Sequence, residues 1–486
     1  MNNNLVNRRK ALYILLSLFL LGPAAGSLQA QGDEASGSAY SLEQCIAYAM
    51  RNQKNIQNAT FDKYIAQKRV KELIGIGLPQ VTGSAQYQAY IQLPVSLIDI
   101  GNFQLDPTSA IPQEVLDTLP DAVRYQSAQF GVNHNLTLGA QITQLLFDGT
   151  FFVGIRAARE FTNLQEINIR RTEVETAVAV TNAYYTALLN EERARLLTSN
   201  LERITKLVAN TDALYKEGFA EKVDVDRLTI TRNNLQRETK KTTALVALGY
   251  DLLKFQMGMP IEEELRLSER IVDLANVPQL EDLTMEGNFA QGRIEYQQLQ
   301  QGIVLQEMDR KRNAAATWGS LVAFGNYNYQ TFRPRFFSLD VEDKWFSNSF
   351  VGLSYNVTFF DGLQKRSRIQ KIDLEISKLR NQADVFEQSV LLELRNASTQ
   401  VVNAWTDVEA AEKNQELAEE VYRISTTKYR EGIGSNLEVI DAENSLTQSQ
   451  INYLTALYNY VLATVELKRV KGEISPYDTS NPDSNE

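Results

Sequence analysis

The sequence predicts a mixed α and β membrane protein, a tandem-repeat chain in which four barrel-type strands join long coiled-coil helices. Three observations carry that expectation. Phe147-Asp148-Gly149 returns as Phe360-Asp361-Gly362, shifted by 360 − 147 = 213 residues, and Tyr215-Lys216-Glu217-Gly218 returns as Tyr429-Arg430-Glu431-Gly432, shifted by 429 − 215 = 214. No proline falls between Pro120 and Pro260 or between Pro334 and Pro476; an interior proline costs a helix about 3 kcal/mol, so two long helical arrays are permitted there. Immediately before each Phe-Asp-Gly the apolar period switches from helical to two, the period of a strand.

In chain order, residues 1–30 read as an export signal, with Arg8-Arg9-Lys10, an apolar run Ala11 to Leu21 and small residues up to Ala30. That run is short of the ~20 apolar residues a spanning helix needs. No comparable run follows, so any entry into a membrane would be as a barrel. Residues 31–40 form a linker, 41–275 the first repeat, 276–282 a second linker, 283–475 the second repeat, and 476–486 a polar tail read as disordered.

Each repeat reads as a short helix, a hairpin, Phe-Asp-Gly, a long helix, the Tyr-x-Glu-Gly turn and a return helix. The short helices are placed at Leu42 to Ile74 and Glu286 to Ala314, the return helices at Val223 to Met257 and Leu437 to Lys471. Ile372, Ile376, Leu379, Ala383, Phe386, Val390 and Ala397 form a 4,3 seam interrupted by Glu393, as do Val174, Val178, Thr181, Tyr185 and Leu188 in the first repeat. Such spacing calls for side-by-side packing as in a coiled coil, and a helix of about 60 residues would be ~90 Å long.

Strands are placed at Val81 to Leu93, Val132 to Thr143, Leu321 to Phe332 and Val351 to Phe359, alternating apolar with polar residues, more weakly in Leu321 to Phe332, which carries Tyr327 and Tyr329. The hairpin connections, Pro94 to Gln129 and Arg333 to Trp345, read as exposed loops, and Phe147, Phe360, Phe336, Phe337, Trp345 and Phe346 as an interfacial aromatic collar. Known bacterial barrels start at ~8 strands, and four open-edged strands cannot satisfy their backbone groups in lipid. The chain must therefore pool strands with copies of itself.

The formal net charge is −11, or −14 without the three cations of the export signal, which argues against nucleic acid as a partner. Cys45 is the single cysteine and reads as a passive thiol buried in a helix. His134 is the single histidine and reads as a packing or interfacial residue. There is no phosphate-binding loop, no metal-ligand spacing and no cofactor signature. These absences favour a non-enzyme.

The segment Tyr429-Arg-Glu-Gly-Ile-Gly-Ser-Asn-Leu-Glu-Val-Ile-Asp-Ala-Glu-Asn-Ser-Leu446 resembles the turn and return helix of TolC-like outer-membrane efflux proteins, and Leu78-Pro79-Gln80-Val81 also fits. The counterpart near Trp318-Gly319 lacks the Leu-Pro pair. Across both repeats the resemblance implies a homotrimer with one 12-strand barrel in the outer membrane of a Gram-negative bacterium, continued by a periplasmic α-helical tube. It implies a passive exit duct of a tripartite efflux pump or type I secretion system, partnered by a periplasmic adaptor (membrane fusion) protein, an inner-membrane pump and outer-membrane lipid.

The same resemblance puts Phe147, Asp148, Gly149, Phe360, Asp361 and Gly362 where barrel becomes helix. It makes Glu217, Gly218, Phe219, Ala220, Glu431, Gly432, Ile433 and Gly434 adaptor-docking tips, and puts Glu438, Asp441 and Tyr429 at a pore constriction. Glu438 and Asp441 are also what an ordinary solvated helix face would carry at i, i+3. The first repeat has Asp224 and Arg227 in their places, and the family's basic latch residue is Gly434 here. A periplasmic coiled-coil structural or adaptor protein without a channel would explain the helices but not the strands. A hydrolase using a carboxylate pair has no paired-acid site outside helix faces.

Overall fold

A computed structural model describes residues 39–99, 118, 120, 125–129, 131–274, 289–333 and 345–474. The export signal, nearly all of the 31–40 linker, the 276–282 linker, the 476–486 tail and Phe336 and Phe337 lie outside the described residues.

Helix α1 (Leu42–Asn52) starts at a capping box in which Ser41 Oγ accepts from Gln44 N and Gln44 Oε1 from Ser41 N. The sequence reading expected this helix to continue unbroken to Ile74. Instead the chain breaks at Gln53, which is extended (φ −65°, ψ 124°), and restarts as α2 (Lys54–Ile76). The cause lies 202 and 203 residues away. Gln53 Nε2 donates to the carbonyl oxygens of Gln256 (2.8 Å) and Phe255 (3.4 Å), which end the return helix α4 (Lys222–Met257). Helix ends leave carbonyls unbonded; here the side chain of the residue at the break satisfies Gln256 O and shares Phe255 O with Gly258 N, which also donates to it (3.1 Å).

The second repeat repeats the joint with different chemistry. Arg293 is extended (φ −71°, ψ 137°) between α5 (Phe289–Gly292) and α6 (Ile294–Ala315), so the helix expected from Glu286 to Ala314 is also interrupted. Arg293 is 5% exposed and donates to Glu295 and to Glu393, 3.1 Å away. Glu393, which breaks the apolar seam in the sequence, thus serves this joint, and Arg469 of the return helix α8 (Asn436–Lys471) also reaches it at 3.7 Å.

The two long helices are α3 (Gly149–Lys216, 68 residues) and α7 (Gln364–Arg430, 67 residues), each ~100 Å long at 1.5 Å per residue. Helix α7 packs on α8 and α6, burying Ile372, Ile376, Ala383, Val390 and Ala397 as the seam predicts; Leu379 and Phe386 are only partly covered. Helix α3 packs on α4 and α2, and also on α6 and α8 of the other repeat. Burial from two sides gives it a broader stripe, with Ala177, Val180, Ala183, Tyr184, Ala187 and Leu188 all buried, so Val174 and Val178 are not the core positions expected of them. The core thickens at mid-length, where Cys45, Val180, Tyr184, Leu188, Leu253, Met257 and Ile271 cluster.

The four long strands, β1 (Gln80–Ala89), β4 (His134–Asp148), β5 (Ser320–Arg333) and β6 (Trp345–Asn356), form one antiparallel sheet in the order β1-β4-β5-β6. One row of the register runs Val81, Ile142, Gly325, Val351. The central β4–β5 pairing joins one repeat to the other. Strand β4 continues to Asp148 through an irregularity between Leu145 and Phe147, beyond the expected Thr143, whereas β6 stops at Asn356, short of Phe359. The flanks of the long connection also pair, as a separate ribbon of β2 (Val95–Asp99) and β3 (Tyr125–Gln129), where only loop was expected.

One sheet face carries Val81, Ala85, Tyr87, Leu138, Ile142, Tyr327, Tyr329, Val351, Leu353 and Tyr355, and many of these are exposed. The other carries mainly Asn, Gln, Ser and Thr. No helix among the described residues is long and apolar enough to cross a membrane.

Candidate functional site at the helical tip and the strand–helix junction

Both hairpin turns follow from one residue in the left-handed region. Gly218 (φ 83°) and Gly432 (φ 75°) end α3 and α7, followed by Phe219 N donating to Leu214 O (2.8 Å) and Ile433 N to Lys428 O (3.0 Å). This pattern satisfies carbonyls that the helix end leaves free. No neighbour crowds either glycine, so backbone angle alone demands it. Gly434 is different: an added Cβ would meet Lys428 Cβ at 2.9 Å and Tyr429 N at 3.0 Å, so close approach excludes a side chain there.

The turns present large apolar side chains to solvent. Phe219 is 83% and Ile433 79% exposed, beside exposed Glu217 and Glu431, while Ala220 is half-buried. Ser435 caps α8 by accepting from Glu438 N (3.2 Å), and Glu438 and Asp441 both lie on its exposed face, opposite buried Val439, Ile440 and Ala442. An acid in the first turn is favoured by the helix dipole, so Glu438 suits its position even without a partner.

Tyr429 is not brought to that carboxylate face by a hydrogen bond. Its hydroxyl lies 3.4 Å from Thr211 Oγ1 on α3, and Thr211 is fully buried. Asp224, the repeat-related counterpart of Glu438, is also engaged, because Asn436 Nδ2 donates to its backbone oxygen (2.9 Å) and carboxylate (3.2 Å). Both contacts link the second hairpin to the first.

Higher in the bundle, sequence reasoning missed a buried polar layer. Glu443 on α8 is 1% exposed and 3.3 Å from Arg203 Nη2 on α3, and the Arg203 guanidinium sits 5.5 Å over the Tyr422 ring of α7. Asn200 donates to Thr447 Oγ1 (3.0 Å) and Gln450 Oε1 (3.1 Å) one turn away. Burial pushes the Glu443 carboxyl above its ordinary range, with Arg203 opposing. The available signal was a charged residue at 443 within the buried series Val439, Ile440, Ala442 and Leu446.

At the other end, the two Phe-Asp-Gly marks build the strand-to-helix turn differently. Asp148 Oδ1 caps α3 by accepting from Thr150 N (2.7 Å) and Phe151 N (3.1 Å). Asp361 Oδ2 accepts from Lys365 N (2.8 Å), after a turn with Gly362 (φ 65°) and Leu363 (φ 67°) both left-handed. The glycine expected to allow a turn does so only at 362. Gly149 is helical, and its Cβ would fall 2.5 Å from Ala315 O at the end of α6. Phe147 and Phe360 are both exposed at the junction, and Phe147 lies 6.2 Å from the Phe152 ring.

His134 sits on β4 with Nδ1 2.7 Å from the Tyr87 hydroxyl. Among the described residues no group of three His, Cys, Asp or Glu side chains is placed to hold a metal ion.

A sequence model of the family described as outer membrane efflux protein matches residues 307–473. Outer membrane protein TolC of Escherichia coli K12 is 21% identical over 378 residues, 72% of each chain. Among solved structures, the outer-membrane channel CmeC of Campylobacter jejuni superposes with a TM-score of 0.66 at 12% identity, covering 89% of this chain and 85% of that one. The open state of the MtrE outer-membrane channel of Neisseria gonorrhoeae gives 0.63 at 14% identity, covering 89% and 88%.

Proposed function

We infer that this chain, a TolC-like outer-membrane efflux protein, is the exit duct of a tripartite pump or type I secretion system, working as a homotrimer whose periplasmic tip gates passive efflux. It resides in the outer membrane of a Gram-negative bacterium and extends into the periplasm.

The observation that carries this reading is the pairing of β4 with β5 across the repeat boundary, while β1 and β6 have no second neighbour among the described strands. The chain already uses the contact that would join copies. What β5 does for β4 within one chain, β1 of the next copy would do for β6. Three copies supply 3 × 4 = 12 strands, enough to close a barrel and leave no edge. The apolar sheet face then meets lipid and the polar face lines the lumen. The same argument extends to the helices, since α3 contacts α6 and α8 of the other repeat, leaving α7 to meet the next copy.

At the tip, three copies of Glu438 and Asp441 place six carboxylates on the tube. Asn436–Asp224 and Tyr429–Thr211 tie one hairpin to the other and stand where a latch must act, since Gly434 has no room for a side chain. Exposed Phe219 and Ile433 are the anchors for an adaptor, apolar side chains at an interface core carrying most of the affinity. Neither the cargo class nor the pump is set by these residues.

The test is a planar bilayer, together with size measurement in mild detergent. A trimer with discrete conductance is the expected result. A monomer without conductance, recovered in the soluble periplasmic fraction, would instead favour a coiled-coil spacer.

A further inference from the structure

The polar face of the sheet holds four phenylalanines that its alternation does not require. Phe324 and Phe332 on β5, and Phe346 and Phe350 on β6, share the face of Thr82, Gln86, Thr137, Gln141 and Asn356. Their rings meet in two pairs. Phe324 and Phe350 lie edge to face, centroids 6.2 Å apart at 80°, and Phe332 and Phe346 lie 6.1 Å apart at 51°. Phe332, Phe346 and Phe350 remain 44–52% exposed.

The sequence makes room for one of these rings. Phe324 is opposite Gly352, where an added Cβ would fall 2.7 Å from Phe324 Cζ, so a glycine on the facing strand lets the ring lie across the sheet. Between the ring pairs, Asn328 and Asn348 are directly opposed, Gln330 faces Phe346 and Asn326 faces Phe350. Phe346 and Phe350 are four residues apart, about 13 Å at 3.3 Å per residue. The surface is therefore two aromatic clamps separated by amides.

On this face β1, β4, β5 and β6 contribute amides, hydroxyls, glycine and apolar groups and, apart from Asp148 at the helix end of β4, whose carboxylate is engaged in capping α3, no Asp, Glu, Lys or Arg. That absence identifies the occupant. An ion finds no counter-charge here, whereas an uncharged aromatic solute gains ring contacts and can hydrogen-bond to the flanking amides. The charge character of the wall is matched to a neutral molecule, in contrast to the carboxylate face at the tip.

We propose that Phe324, Phe332, Phe346 and Phe350 form a binding track on the lumen wall for uncharged aromatic cargo bearing polar groups, holding it briefly as it leaves. The proposal rests on the exit-duct reading, which makes the polar face the lumen. Weak binding suits such a role, because a site in a conduit must release what it takes.

The experiment is single-channel recording of the wild-type protein and of two double variants, Phe346→Ser/Phe350→Ser and Phe346→Leu/Phe350→Leu. N-acetyl-tryptophanamide is added on the barrel side, with N-acetyl-glycinamide as the aliphatic control. The aromatic amide should interrupt the wild-type current in a concentration-dependent way while the control does not. Ring contacts of about 0.5–1.5 kcal/mol imply that either variant weakens the block about two- to tenfold. The leucine pair keeps apolar bulk on the strand, so it reports on the rings even if the serine pair does not assemble. Conducting channels indifferent to the aromatic amide, or variants blocked as strongly as wild type, would overturn the track and leave the duct standing. Absence of any wild-type conductance would remove the duct, and the track with it.

Discussion

Arg203 on α3 and Glu443 on α8 form an ion pair across the boundary between the two hairpins, 3.3 Å apart, with Glu443 sealed from solvent. The repeat-related positions, 214 residues away, are Leu417 and Thr229, so the charge pair belongs to the contact within a chain and has no copy in the contact that would join chains. Removing Arg203 would strand a buried carboxylate. Arg203→Ala should therefore destabilise the protein by about 3–5 kcal/mol, and Glu443→Gln by less, because the amide can still accept from the guanidinium.

The pH dependence has a definite sign. Burial raises Glu443 in the folded state above its unfolded value of about 4.3. A raised carboxyl contributes stability that is complete below the unfolded value and is lost as pH rises through the folded one. The stability of wild type relative to Glu443→Gln should therefore fall across that window, measured by denaturant unfolding at a series of pH values. A flat difference would mean that the carboxyl titrates as an exposed one does.

Cys45 should be chemically silent in the folded protein. It lies in α1 with no exposure, and burial, with Glu269 adding to it, pushes the thiol up to about 12. The reactive thiolate is then scarce at neutral pH and inaccessible as well. A maleimide reagent at pH 7.5 should label native protein at least about a hundredfold more slowly than protein in guanidinium chloride, read by mass spectrometry. Rapid native labelling would show that the mid-length core opens.

Gly258 seats the end of α4 against the α1–α2 break under two constraints, and Gly218 is held by one. Gly258 has φ 72°, and a Cβ on it would lie 2.9 Å from Asn52 O and Gln53 Cα; Gly218 has φ 83° and open space around it. Alanine at 218 should cost about 1–2 kcal/mol for left-handed backbone. At 258 overpacking adds about 1–3 kcal/mol more. Thermal unfolding of the two variants in the same detergent should rank them in that order, and equal losses would show that the contact of Gly258 with the Asn52–Gln53 break yields freely.

The features legible in the sequence were those with local causes. The return helices fall within a residue of their expected starts because glycine turns and capping residues bound a proline-free period, as Ser435 and Gly472 do for α8. The joints at Gln53 and Arg293 were invisible because neither residue type breaks helices. Each is extended on account of partners far along the chain, Gln256 for one and Glu393 for the other. The β2–β3 ribbon was hidden because its strands are short and separated by a connection rich in proline and aspartate. At the tip, Glu438 and Asp441 were identifiable as one helix face, but the tie between Asn436 and Asp224 was not, since nothing in the spacing of either hairpin specifies how the two lie against each other.

Glu438 and Asp441 provide the most direct test of the tip. Both carboxylates lie on the exposed face of α8, and three chains would gather six of them around one axis. Like charges so placed attract cations and bind divalent ions better than monovalent ones. Even fully solvated, a unit charge pair at 4 Å is worth about 1 kcal/mol, so losing several such contacts should relieve divalent block by at least about tenfold. The double variant Glu438→Ala/Asp441→Ala should therefore move the reversal potential in a salt gradient toward the unselective value and raise the concentration of magnesium needed to block. Arg227→Ala, at the repeat-related position of Asp441, is the control, and its selectivity should stay near that of wild type. If the double variant keeps both the wild-type reversal potential and the wild-type magnesium block, the two acids are only the solvated face of a helix and the constriction lies elsewhere.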